Sequence, residues 1–121
     1  MHEIGIDLIE IDRVAAALSR WGERFQKRVY TEAERSHCRN RVPELAVRFA
    51  AKEAVMKALG TGIKGVGWRE IEILNNADGK PFVILHGHAE SKARELGLVD
   101  FSVSMTHSRD IAMAAVIGEA Q

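Results

Sequence analysis

The sequence predicts an α+β fold, a single compact domain with helices packed on a mostly antiparallel sheet. Three observations lead there. Apolar residues alternate at strand period near both ends, at Ile4, Ile6 and Leu8 and at Phe101, Val103 and Met105. Helical spacing governs much of the region between them, and the Asn-, Asp- and Gly-rich stretch at 75–81 separates two short alternating runs as a hairpin turn would. The resulting order is β, α, α, α, β, β, α, β, β, read as one domain over 1–121.

Residues 3–11 are predicted as the first strand, with Gly5, Asp7 and Ile9 opposite Ile4, Ile6 and Leu8. Asp7 then lies inside an otherwise buried-looking strand, where a carboxylate needs a partner. Asp12 is placed to cap a helix beginning near Arg13; Val14, Leu18, Trp21 and Phe25 form its apolar stripe, and Arg13, Arg20, Arg24 and Lys27 its other face. Thr31 and Glu34 make a capping-box pattern opening a short helix through about Cys38. Residues 39–43 break the chain before a long helix over 44–59, which Gly60 ends. Strands over 70–74 and 82–85 flank the hairpin turn, a helix over 88–96 stops at Gly97, and two strands joined by a tight turn at 108–110 close the chain, the last over 111–117. His37 and Cys38 are adjacent, and His86 and His88 have no carboxylate or cysteine at useful spacing, so neither pair reads as a metal site.

Apolar content of 46% and charged content of 28% are ordinary for a soluble protein. Cys38 is the only cysteine, which excludes a disulfide framework and a thiolate metal cluster. No uninterrupted apolar run spans a bilayer, and the first residues are acidic where a secretory signal is basic, so a cytoplasmic protein without membrane insertion is expected. Net charge is zero but unevenly spread: residues 1–12 carry four acids and no Lys or Arg, whereas 13–48 carry nine basic residues against four acidic ones. That polarity points to an acidic partner rather than to nucleic acid.

The stretch at 48–65 concentrates the chemistry. At 100° per residue, Arg48 and Lys52 fall on one edge of the helix and Glu53 and Lys57 on another, amid alanine, valine and methionine. Charges on a helix packed on most sides must be paired, bound to a metal or turned to a polar ligand. Asp7 and Glu53 supply two hard carboxylates suited to Mg²⁺, while Lys57, His107 and the Gly60–Thr61–Gly62 exit suit phosphate. That set describes phosphoryl-level transfer. Glycoside hydrolysis leaves the lysine and the glycine exit without a task, and no G-x-S-x-G elbow supports a serine hydrolase.

Three motifs, GIDLIEIDR at 5–13, RFAAKEAVMKALGTGI at 48–63 and SVSMTHSRDIAMAAV at 102–116, resemble the signatures of the bacterial holo-acyl-carrier-protein synthase group of the 4′-phosphopantetheinyl transferase superfamily. TEAE at 31–34 and DGKP at 78–81 also match, so the resemblance spans essentially the whole chain. It implies a 4′-phosphopantetheinyl transferase-like fold and a Mg²⁺-dependent enzyme of fatty acid biosynthesis, which moves the 4′-phosphopantetheine arm of coenzyme A to a serine of an acyl carrier protein and releases adenosine 3′,5′-bisphosphate. By the same resemblance Asp7 and Glu53 hold the metal, Lys57 and His107 contact coenzyme A phosphates, Arg48, Gly60, Thr61 and Gly62 add phosphate-side contacts, and Gly79, Lys80 and Pro81 form a loop near the adenine. Thr106 stands where the family commonly has serine and keeps the hydroxyl; Ile111 stands where an aromatic is common.

The resemblance further implies a homotrimer with active sites shared between subunits, and a docking face at Arg13, Arg20, Arg24 and Lys27 for an acidic carrier protein, Arg13 foremost. On that resemblance the carrier serine is expected to attack the β-phosphorus, its proton going to Glu53 or Asp7, directly or, as the favoured route, through a metal-bound water. His107 positions phosphate and substrate. Lys52 is left as a neighbouring salt-bridge residue. The alternatives are another Mg²⁺-dependent phosphoryl-transfer or nucleotide-cleaving enzyme and a non-catalytic binding module.

Overall fold

The computed structural model describes residues 1–120, with the side chains of all but Ile63 and Lys64; Gln121, the last residue of the expected domain, lies outside the described residues. The chain runs through β1 (His2–Glu10), α1 (Ile11–Trp21), α2 (Glu23–Val29), α3 (Glu32–Cys38), α4 (Val42–Leu59), α5 (Gly62–Gly65), a 3₁₀ turn (Trp68–Glu70), β2 (Ile71–Asn75), β3 (Pro81–Leu85), α6 (Gly87–Glu95), β4 (Leu98–His107) and β5 (Ile111–Ala120). All strand pairs are antiparallel, in a three-stranded sheet of order β1-β5-β4 and a separate β2-β3 hairpin.

Helix α4 lies across one face of the larger sheet. Its small residues Ala50, Ala51, Ala54 and Ala58 are buried against Ile9, Ala112, Ala114 and Val116, which brings the helix unusually close to the strands. Gly5 is where that approach is tightest: a Cβ there would stand 1.7 Å from the carbonyl oxygen of Ala54. The obstacle is helix backbone, so Gly5→Ala forces α4 off the sheet and is expected to destabilise the protein by about 3 kcal/mol, the upper part of the overpacking range. A denaturant midpoint unchanged from wild type would show that the helix yields freely.

The two faces of β1 alternate as expected, and the helix covers the one that carries Asp7. Gly5, Asp7 and Ile9 point toward α4, whereas Ile4, Ile6 and Leu8 are 70%, 55% and 55% exposed. With Met113, Ala115 and Ile117 of β5 in register beside them, they form an apolar outer face that this chain does not cover.

Local signals explain the other boundaries. The first helix starts at Ile11 with Asp12 in its first turn and no side-chain cap, and it breaks at Gly22 (φ 54°), so the expected single helix becomes α1 and α2. The Thr31–Glu34 capping box forms with both of its hydrogen bonds. Helix α4 starts before Glu44 because Pro43 sits in its first turn, where no amide donor is needed. The short α5 and the 3₁₀ turn were not foreseen in the glycine-rich exit.

Three buried charges close the free edge of β2. Glu34 accepts from the Ile73 N–H at 2.8 Å, Lys52 Nζ donates to the Ile71 carbonyl, and Arg48 Nε donates to the Ile73 carbonyl at 3.2 Å. Lys52 and Glu34 also pair at 2.7 Å with both side chains fully buried. Side chains from α3 and α4 thus stand in for a missing neighbouring strand, satisfying backbone groups that burial would otherwise leave unpaired. Lys52 is the salt-bridge residue expected, with a fold-building task as well.

Candidate active site

Asp7 on β1 meets Glu53 and Lys57 on α4. Lys57 Nζ donates to Asp7 Oδ1 at 3.0 Å and to the Ile6 carbonyl at 2.9 Å. The Asp7 side chain is 10% exposed and that of Lys57 is 55% exposed, so the carboxylate is largely buried while the ammonium reaches solvent. The i,i+4 spacing of Glu53 and Lys57 puts both over β1.

The Glu53 carboxyl is held above the ordinary carboxylate range, first by burial and then by the Asp7 charge beside it, with Lys57 and Arg13 pulling the other way. A folded-state pKa above the unfolded one means that the folded state binds more protons between the two values, so stability falls as pH rises from the ordinary carboxylate pKa through the raised one. Glu53→Gln removes the charge that causes this. Its melting temperature is expected to exceed that of wild type at pH 7 and to converge on it at pH 4; the same difference at both pH values would refute the shift.

The other expected residues are placed unequally. His107 continues the α4-facing side of β4, in line with Ala112 and Ile9, and so shares the Asp7 face. Its Nδ1 lies 3.2 Å from the Ser108 carbonyl and must be the donor, which leaves Nε2 as the second functional nitrogen. Since β5 separates β1 from β4 and Asp7 lies two residues along β1 from the position in line with His107, the two residues stand roughly 12 Å apart across the sheet. Thr106, one residue earlier, points to the opposite, apolar face, in line with Met113 and Leu8. Gly60 (φ 72°) closes α4: its N–H and that of Thr61 bond to the carbonyls of Lys57 and Met56. Those two amides are therefore committed to the helix end, a correction to the expected phosphate cradle. The Thr61 hydroxyl, by contrast, is buried with no hydrogen-bond partner among the described residues.

Arg48 also departs from the expected phosphate-side position. It is 1% exposed and turned inward to Glu44, Ile73 and Asn75, because the polar groups it can reach from that edge of α4 belong to β2. Gly79, Lys80 and Pro81 lie at the hairpin turn, beyond the β4 edge of the larger sheet and so across it from Asp7. Lys80 and Pro81 border a hollow of about 670 Å³ that Phe101, Ser102 and Ser104 also line.

Arg13, Arg20, Arg24 and Lys27 are all exposed, spread over α1 and α2. Arg20 and Arg24 flank the Trp21 ring at 4.9 and 5.7 Å, and Lys27 approaches Glu23 at 3.8 Å. Beside them, Trp21, Phe25, Phe49 and Trp68 line an apolar groove rimmed by Arg24 and Arg28. Sequence reasoning missed Glu34 and Asn75; the capping box marked Glu34 for its local role alone. Among the described residues no helix is long and apolar enough to cross a membrane.

A strand-borne aspartate facing a glutamate and a lysine on a packed helix has the chemistry to hold a divalent cation beside a phosphate. The family model of the 4′-phosphopantetheinyl transferase superfamily matches residues 3–116. The holo-[acyl-carrier-protein] synthase of Herpetosiphon aurantiacus is 54% identical, over 94% of this chain and 95% of that protein. That of Dehalococcoides mccartyi is 51% identical, over 95% and 96%. Among solved structures, Helicobacter pylori holo-[acyl-carrier-protein] synthase in complex with coenzyme A superposes with a TM-score of 0.88 at 29% identity, covering 96% of this chain and 99% of that one. The chain belongs to the 4′-phosphopantetheinyl transferase superfamily, in its holo-acyl-carrier-protein synthase group.

Proposed function

We propose that this enzyme transfers the 4′-phosphopantetheine arm of coenzyme A to a serine of an apo acyl carrier protein. The observation that carries this reading is the cluster of Asp7, Glu53 and Lys57 in a chain whose relatives are holo-acyl-carrier-protein synthases. The serine oxygen attacks the β-phosphorus of the pyrophosphate in line; the bond to the bridging oxygen breaks, and adenosine 3′,5′-bisphosphate leaves. Lys57 uses two of its three N–H groups on Ile6 and Asp7 and presents the ammonium to phosphate. The serine proton would pass to Glu53 or Asp7 through an intervening water, because a carboxylate that holds a cation is itself a weak base. His107 Nε2 is a further phosphate-side contact.

Asp7 and Glu53 fit a divalent ion. The Glu53 carboxyl is held up first by burial and then by the Asp7 charge beside it, and a cation between the two carboxylates would relieve both; Mg²⁺ is commonly held by one or two carboxylates plus substrate oxygens. Bound there, Mg²⁺ would offset pyrophosphate charge.

The uncovered face of Ile4, Ile6, Leu8 and Ile117 supports self-association, and we assign it to a homotrimer. In one chain the acid pair and the 79–81 loop lie at opposite edges of the larger sheet, which favours sites completed by a neighbour's loop. The exposed arginines of α1 and α2 and the aromatic groove beside them suit an acidic carrier helix with an apolar side chain. The setting is cytoplasmic fatty acid biosynthesis.

The test is the intact mass of an apo acyl carrier protein incubated with the enzyme, coenzyme A and Mg²⁺. A phosphopantetheine-sized gain, absent when coenzyme A is withheld, is expected. An unmodified carrier under varied conditions would overturn the reading.

A further inference from the structure

Asn75 is the last residue of β2, and its side-chain amide is engaged at both ends. Oδ1 accepts from Arg48 Nη2, and Nδ2 donates to the Gly79 carbonyl at 2.7 Å. Arginine offers donors alone, so the Asn75 oxygen must face Arg48 and its nitrogen must face the loop. The orientation of the amide is set chemically.

The guanidinium behind it is fixed as well. Arg48 is 1% exposed, and its other hydrogen bonds go to the Ile73 carbonyl at 3.2 Å, the Glu44 carbonyl at 3.3 Å and Glu44 Oε1 at 3.1 Å. Within the loop, Asn76 holds the turn by itself: its Oδ1 accepts from the Asp78 and Lys80 amides, and its backbone exchanges hydrogen bonds with Gly79 and Lys80. Asn76 therefore shapes the turn, and Asn75 ties that shape to α4. Without the second tie, a hairpin tip that is exposed along 76–80 pivots on its two strand ends.

We propose that Asn75, oriented by buried Arg48, is a positioning residue that holds the 76–81 loop in place for coenzyme A. This rests on the proposed function and on the expectation, implied by the family resemblance, that Gly79, Lys80 and Pro81 form a loop near the adenine of coenzyme A. It also gives Arg48 a part in substrate binding at one remove.

Asn75→Asp separates the two halves of the relay. A carboxylate still accepts from Arg48, but it sets an acceptor against the Gly79 carbonyl; Asn75→Ala loses both contacts. For both variants the KM for coenzyme A is expected to rise about fivefold, the size of one lost neutral hydrogen bond, with kcat at saturating coenzyme A and the KM for the carrier within about twofold of wild type. Calorimetric binding of adenosine 3′,5′-bisphosphate should weaken by the same factor. A coenzyme A KM within about twofold of wild type in both variants, or an equal fall in kcat with KM unchanged, would overturn the proposal and leave Asn75 a purely structural residue. An unmodified enzyme that transfers nothing fails the proposed function instead, so wild-type turnover is established before either variant is compared.

Discussion

Asp7→Ala and Glu53→Ala are each expected to lower phosphopantetheine transfer by at least about 100-fold, the loss typical when one charge-stabilising group is taken from a site of developing negative charge. Neither change should unfold the chain. Asp7→Ala frees a lysine that is 55% exposed and readily hydrated, and Glu53→Ala removes a carboxyl already disfavoured in its charged form. The two effects should also be far from additive, because both carboxylates serve one charge centre. Turnover on an apo carrier protein, measured beside far-UV circular dichroism, checks this. Wild-type turnover in either folded variant would remove the acid pair from the mechanism.

Lys52→Met is expected to have the largest effect on stability, about 3–5 kcal/mol, since it strands Glu34 as a buried carboxylate without its counter-charge. The Trp68 and Ile71 carbonyls lose a donor at the same time. Burial already pulls the Lys52 pKa down while Glu34 pulls it up, so the ammonium depends on its partner. Pairing Lys52→Met with Glu34→Gln should recover part of the loss, and denaturant unfolding of the cycle measures the coupling. Lys52 has no exposed surface, so kcat per folded molecule should hold near the wild-type value. A stability change below about 1 kcal/mol together with lost turnover would make Lys52 a chemical participant.

What the sequence disclosed depended on the reach of each signal. The capping box at Thr31 and Glu34 uses neighbours three residues apart and was legible at once. The division of α4 into two charged edges followed from helical phase, and it places Glu53 and Lys57 beside Asp7 and sends Arg48 and Lys52 elsewhere. Where they go was not legible, because their partners are backbone groups of β2 and a glutamate on α3, remote in sequence. Gly22 was passed over because Trp21 and Phe25 keep helical spacing across it; only its positive φ shows the break. The facing of β1 was not legible for a related reason. Period two separates its two faces, but which one the chain itself covers depends on where α4 lands.

The sealed side of β2 also bears on how the protein behaves among other chains. A bare strand margin is a template on which a foreign segment can dock through its main chain, the first step toward fibrous aggregation. Here Glu34, Lys52 and Arg48 occupy the carbonyl and amide of Ile73 and the carbonyl of Ile71 from within the molecule. An incoming peptide would have to displace buried ions to gain those bonds, so recruitment on that side is blocked even though the hairpin has only two strands.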